Sequence, residues 1–286
     1  MMELRRRESA FSFLLKLPMY LWSIAFVLVA LLYVIGLSFL TRGEMSGVTN
    51  EITFANYLRM AAPEYLKVFE KSLKLAGLTT IICILIGYPF GYLMARLSPT
   101  ARSIVMLLII VPFWTNALIR IYGWRILLMG NGPINNFLLS LGVISKPLKL
   151  LYTDGAVLLG MVYALIPFMI LPTFNAVDKL DFSYVEAARD LGASRRHAFF
   201  TVTVPLTVSG LMAGCVLVFI PSMGLFFLND LLGGSKSVLA GGLIQQLINS
   251  RDLPMAAALS VILLTVTGVI ISLYRRMGSS DGLIAF

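Results

Sequence analysis

The connector Asp178-Lys179-Leu180-Asp181-Phe182-Ser183-Tyr184-Val185-Glu186-Ala187-Ala188-Arg189-Asp190-Leu191-Gly192-Ala193-Ser194-Arg195-Arg196 decides the fold through what flanks it. Upstream, Gly155 to Val177 runs 23 residues without a charge, and downstream Ala198 to Asn229 runs 32. An apolar bilayer core of about 30 Å takes roughly 20 helical residues at about 1.5 Å each. Both flanks can therefore span, and the charged segment between them lies at a membrane surface.

Working outward, Leu17 to Thr41, Leu75 to Ala95, Ser103 to Ile119 and Leu253 to Tyr274 are uncharged over 25, 21, 17 and 22 residues. Six spans follow, the third only just long enough. Ile126 to Ser145 is uncharged too, but Gly130-Asn131-Gly132-Pro133 and Asn135-Asn136 would leave polar groups unsatisfied in lipid. It reads as a loop with a short interfacial helix from Pro133 to Leu141. Arg5-Arg6-Arg7 precede the first span as in a signal peptide, but 25 uncharged residues exceed such an apolar region and no A-x-A site follows. The segment is expected to remain as an anchor.

The whole chain of 286 residues agrees: 58% apolar and 13% charged, where a soluble domain carries about a quarter. Mean hydropathy is +0.88. An average globular enzyme is excluded, and one transmembrane domain over residues 1–286 is the simplest division. The net charge of +9 fits basic loops at an anionic membrane surface, with no nucleic-acid partner implied. Cys83 and Cys215 lie in apolar runs with no ligand-spaced partner, so they read as packing residues, with neither a disulfide framework nor a metal site. No H-E-x-x-H and no intramembrane carboxylate pair occur, and the single histidine, His197, reads as a solvated side chain, so no catalytic residue is assigned.

Six spans place both termini on one side. Residues 1–16, 96–102, 178–197 and 275–286 carry 12 Lys or Arg in 55 positions, and the opposite loops carry 11 in 91. The denser set is expected in the cytoplasm. Pro89, Pro112, Pro167, Pro172 and Pro221 interrupt spans two to five, while Gly87/Gly91 and Gly210/Gly214 form small-xxx-small pairs suited to close helix contact.

Within the connector, Ser183 and Glu186 fit a capping box, Gly192 a left-handed helix end, Ser194 the start of a second turn, and Pro205 the return to the membrane. Local physics leaves two readings open. The short charged helix is a knob for a partner, or it is a solvated connector.

The full spacing bears on that choice. Glu186-Ala187-Ala188, three residues, Gly192, nine residues, Val202, one residue and Val204-Pro205 resembles the EAA loop of bacterial ABC-importer permeases, with Val at two positions usually Ile and Leu. The resemblance implies an all-α integral membrane protein of six transmembrane helices with a cytoplasmic coupling helix, the type I ABC importer (MetI-like) permease fold. Within residues 178–205, Glu186, Ala187, Ala188, Asp190, Gly192 and Ala193 would then seat in a cleft of a separate ATPase. No G-x-x-x-x-G-K-[ST] occurs in this chain, so ATP and its Mg²⁺ would be bound by that partner and no cofactor by this one.

Further runs narrow the likeness: Gly87-Tyr88-Pro89-Phe90, then Ile110 through the VPFWTNALIRIYG run to Gly123, and Gly224 to Gly234. Across roughly residues 20–275 the chain resembles the B-type permeases of polyamine (spermidine/putrescine) importers. That implies two ATPase copies, a second homologous permease and an extracytoplasmic substrate-binding protein as partners, in a bacterial cytoplasmic (inner) membrane. A polycation crossing a bundle needs carboxylates and aromatic faces. Trp114, Asn116, Tyr122, Phe227 and Asp230 are the candidates for pathway or gate: Trp114 through its height, about 18 Å along a helix from Arg102, and Phe227 with Asp230 through a shared helix face. An interfacial aromatic belt and a helix-ending carboxylate are the alternative readings of the same residues. A permease for another small solute, such as an amino-acid derivative, a vitamin or iron, and a self-contained secondary transporter are the rival functions.

Overall fold

The computed structural model describes residues 16–43, 48–234 and 238–277. Arg5-Arg6-Arg7 and the residues beyond 277 therefore lie outside the described residues. By its contacts the chain divides into two units, residues 1–62 with 244–264, and residues 63–243 with 265–286.

In the first unit, α1 (Lys16–Ser38) exposes apolar side chains along nearly its whole length, as a helix surrounded by lipid does. A π-turn at Ile24–Leu28 interrupts it. The helical expectation holds with one ribbon added: β1 (Leu40–Thr41) pairs antiparallel with β2 (Thr49–Ile52), Leu40 opposite Ile52. Behind it comes α2 (Ala55–Met60), whose buried Asn56 donates through Nδ2 to the carbonyls of Ser38 and Leu40, each at 2.9 Å. Asp252, 2% exposed, accepts from the Met255 amide at 3.3 Å and lies 3.7 Å from Arg42 and 3.8 Å from Arg59. Burying a carboxylate is costly unless such partners surround it.

The second unit runs through α3 (Pro63–Ala95), α4 (Pro99–Ile110), a 3₁₀ turn at Val111–Trp114, α5 (Ala117–Leu128) and α6 (Pro133–Ser140). It continues as α7 (Asp154–Asp178), α8 (Ser183–Asp190), α9 (Arg195–Ala198), a π-turn at Phe199–Thr203 and α10 (Val204–Gly224). Then α11 (Phe226–Leu228) leads into a second π-turn at Asn229–Gly233. After the undescribed residues come α12 (Ala240–Asn249) and α13 (Leu253–Met277), each shared between the two units.

Among the described residues, four helices, α1, α3, α7 and the run Leu253–Tyr274 of α13, are long and apolar enough to cross a membrane, and two bent pairs raise the number to as many as six if each is one span. The third span is not the single rod expected over Ser103 to Ile119. Pro112 lacks an amide proton, the helix tightens at Val111–Trp114, and the chain turns through 93° between Pro99–Trp114 and Ala117–Ser140. The fifth span bends by 66° between Arg195–Leu206 and Val208–Gly224, at Thr207. There the Thr207 hydroxyl donates to the Thr203 carbonyl at 2.7 Å and meets the Tyr88 hydroxyl at 2.7 Å. A short helix does form from Pro133, as α6, one residue shorter than expected.

The core of this unit is the meeting of α3, α7 and α10. Both glycine pairs face α7: a Cβ on Gly91 would stand 3.0 Å from the Ile170 carbonyl oxygen, and one on Gly214 would stand 2.7 Å from the Met169 sulfur. A Cβ on Gly210 would stand 2.6 Å from the Pro172 oxygen, where an internal proline of α7 lies against α10. Small residues let the backbones approach where lipid supplies no hydrophobic drive between helices. Cys83 and Cys215 are free and pack with Leu165, Met169 and Val218, as apolar residues do.

Candidate functional site

The connector between α7 and α10 carries a short helix whose ends can be traced to single residues. At its start the expected capping box does not form. Ser183 is the first helical residue, Phe182 occupies the cap position with helical torsions, and no side chain caps there. Instead the Asp181 carboxylate accepts from the Ser183 amide at 2.9 Å. That bond holds the fully exposed Asp181 carboxyl below its ordinary value of 3.8.

The other end is a Schellman motif. The Ala193 amide donates to the Ala188 carbonyl at 3.0 Å, and the Gly192 amide to the Arg189 carbonyl at 2.9 Å. Gly192 has φ +93°, and a Cβ there would meet nothing within 4 Å, so the glycine answers a torsional demand rather than a packing one. Ser194 then accepts from the His197 amide at 3.2 Å and starts α9, as expected.

Phe182 and Val185 of this segment are half-buried, whereas Tyr184, Ala187 and Leu191 are exposed, Leu191 at 90%. Spaced i, i+3 and i+7, these three form one apolar stripe on the open side of α8. Glu186 and Asp190 are exposed beside it, while Ala188 and Ala193 are half-buried and Gly192 is exposed. An exposed apolar stripe edged by carboxylates is the pattern of a helix that seats in another protein's groove.

The roots of the connector are fixed by charge and rings. Arg102, at the start of α4, lies 2.7 Å from Asp178, donates to the Ala95 carbonyl at 2.9 Å and stacks over Phe174 at 5.5 Å. Arg96 stacks on Tyr92 and Phe182. In the sequence these residues carry one local signal, the i, i+4 spacing of Tyr92 and Arg96.

The five pathway candidates are placed differently. Trp114, at the end of the 3₁₀ turn, is 81% exposed. Asn116 is the N-cap of α5, its oxygen accepting from the Leu118 amide at 2.8 Å. Tyr122 is exposed, with the Arg125 guanidinium 5.8 Å from its ring centre. The helix of span five stops at Gly224 rather than Asn229, because Leu225 leaves helical torsions at φ −75°, ψ 72°. Phe227 thus belongs to the short α11 and Asp230 to the π-turn after it. Phe227 is half-buried against the Val157, Leu228 and Leu232 cluster, while Asp230 is exposed. Among the described residues, no ring contact or hydrogen bond joins Trp114 or Tyr122 to Phe227 or Asp230.

Asn229 is a residue the sequence did not single out for itself. It is 1% exposed, and its side-chain oxygen has no donor, whereas the buried Asn135 bonds the Met129 and Leu148 backbones.

Comparison with known proteins gives the geometry its context. Residues 87–278 match the family described as "Binding-protein-dependent transport system inner membrane component". The chain is 46% identical over 256 residues to "Spermidine/putrescine transport system permease protein PotB" of Escherichia coli (strain K12), covering 89% of this chain and 93% of that one. Among solved structures, the bacterial alginate ABC transporter in complex with alginate pentasaccharide-bound periplasmic protein contains a chain superposing with TM-score 0.72 at 18% identity, covering 97% of this chain and 96% of its own. A chain of the MetNI methionine ABC transporter in an inward-facing conformation superposes with TM-score 0.56 at 16% identity, covering 76% and 97%. At those identities the structural likeness is one of fold. The profile match and the extent of the sequence likeness together make this chain a member of the inner-membrane permease components of binding-protein-dependent transport systems.

Proposed function

We propose that this chain forms half of the translocation pathway of an ATP-driven importer of polyamines, spermidine and putrescine, and that a separate ATPase moves it through α8. The observation that carries this reading is the likeness, over 89% of the chain, to a permease named for those two solutes. The apolar stripe of Tyr184, Ala187 and Leu191 supports the mechanical part, because it offers a partner a surface that the chain itself leaves uncovered.

The mechanism is alternating access. A receptor outside the membrane delivers the solute, two ATPase subunits close on ATP, and the connector, held through Glu186, Ala187, Ala188 and Asp190 of α8 and Gly192 and Ala193 just after it, carries their movement to α7 and α10. Hydrolysis resets the inward state. The connector, and with it both termini, faces the cytoplasm, and a second similar permease completes the pathway. ATP and Mg²⁺ belong to the ATPase.

For the solute, exposed aromatic faces at Trp114 and Tyr122 offer an ammonium group about 0.5–2 kcal/mol each without trapping it. Phe227 and the exposed Asp230 would serve the same polycation further along, and Asn116 would position the Trp114 turn by capping α5. Radiolabelled spermidine and putrescine uptake in a strain deleted for this chain tests the reading. Uptake should vanish on deletion, return with the wild-type copy and fall severalfold with Asp230→Asn. Uptake unchanged by the deletion would sink the polyamine assignment.

A further inference from the structure

The turn that ends α3 holds the connector at both its ends. Tyr92 and Arg96, four residues apart, share one face of that turn. The Arg96 guanidinium carbon lies 4.6 Å from the Tyr92 ring centre and 4.9 Å from that of Phe182. Tyr92 in turn meets Phe199 edge-on at 5.3 Å. Phe182 is the residue just before α8, and Phe199 the residue just after α9. One row, Phe182, Arg96, Tyr92 and Phe199, therefore closes over the entrance and the exit of the connector.

The covalent chain ties α8 to α7 and α10 only. Through this row α3 is tied to it as well, although Arg96 and Phe182 are 86 positions apart in sequence and Tyr92 and Phe199 107.

We propose that Arg96 is a positioning residue of the transport cycle, handing the displacement of α8 to α3 so that the three packed helices respond together. The inference rests on the reading of α8 as the element a separate ATPase moves. The chemistry suits a moving joint. Attraction between a cation and a ring face is spread over the whole face, so it survives a slide that would break a linear hydrogen bond. The planar guanidinium serves two rings at once, which the compact ammonium of lysine does not. Arg96 is exposed, and the Arg102–Asp178 pair at 2.7 Å braces the same corner independently, so replacing Arg96 leaves the fold in place.

The test is the number of ATP molecules hydrolysed per spermidine imported, measured on the complete complex in proteoliposomes for wild type, Arg96→Gln, Arg96→Lys and Phe182→Leu. Arg96→Gln and Phe182→Leu should each raise the ratio roughly threefold, the scale of one exposed cation–π contact, and Arg96→Lys should restore it in part. A residue with a purely structural role would lower hydrolysis and import together and leave the ratio where it was. An unchanged ratio in both Arg96→Gln and Phe182→Leu, beside a coupled wild type, overturns the inference alone. A wild-type complex that imports spermidine without ATP overturns the coupling reading, and the inference with it.

Discussion

The two ends of the second unit are built differently. At the connector end the chain uses a regular short helix with a Schellman stop, a carboxylate at its start and an aromatic row across its roots, and one π-turn, Phe199–Thr203, where it rejoins span five. Away from the connector, spans three and five both leave the α-helix, at Val111–Trp114 and at Leu225 and again Asn229–Gly233. The doubly braced α8 is suited to transmit displacement, whereas 3₁₀ and π-turns, at the far ends of the spans and at the connector's exit alike, are places where backbone geometry changes cheaply. On the proposed reading of α8, this bracing suits a machine pushed at one end and opened at the other.

The largest expected effect comes from attacking the seam that joins the two ends. Gly91→Leu drives a branched side chain at the Ile170 carbonyl, and overpacking of this kind costs about 1–3 kcal/mol or more. The melting temperature of the purified chain should fall and its yield with it. Gly77→Ala, on the same helix but with open space around its Cβ, should leave melting unchanged or raise it slightly; equal effects of the two would refute the seam.

Next is the connector itself. Gly192→Ala places a Cβ at φ +93° and should cost about 1 kcal/mol of local stability, with Gly192→Asn milder. Limited proteolysis should cut the Ala variant faster near residue 192, and ATPase co-purification should weaken in the same order. Away from the connector, Asn116→Ala removes a cap worth about 1 kcal/mol, and Asn116→Asp should keep it. Matching melting curves for Ala and Asp would show that the cap carries nothing.

The smallest effect is one of pH. Bonding to Ser183 depresses the Asp181 carboxyl in the folded chain, so what it contributes is present above the ordinary value of 3.8 and lost as pH falls below it. The start of α8 should fray only in that acid range, read by hydrogen exchange at Tyr184 and Val185, and Asp181→Asn should abolish the dependence.

Much of this was legible in the residues. Charge-free runs mark the spans because lipid tolerates few charges, and Gly87/Gly91 and Gly210/Gly214 mark the seam because only small residues permit that approach. Gly192 marks the end of α8 because its torsion is left-handed. The breaks were harder. Five prolines interrupt the spans, yet Pro89, Pro167, Pro172 and Pro221 sit inside continuing helices while the helix tightens and turns at Pro112, a choice made by neighbours rather than by proline alone. The S-x-x-E pattern at Ser183 marked where α8 begins but not its cap: Ser183 is already helical, and the Asp181 carboxylate accepts from the Ser183 amide instead. The grip of Arg96 on Phe182 was invisible because it joins residues far apart in sequence.

Because α7 meets the glycine pairs of both neighbours and runs directly into the connector, it behaves as the shared axle of the second unit. Enlarging any one of those four glycines should therefore loosen the linkage between fuel and cargo well before it prevents the chain from entering the bilayer.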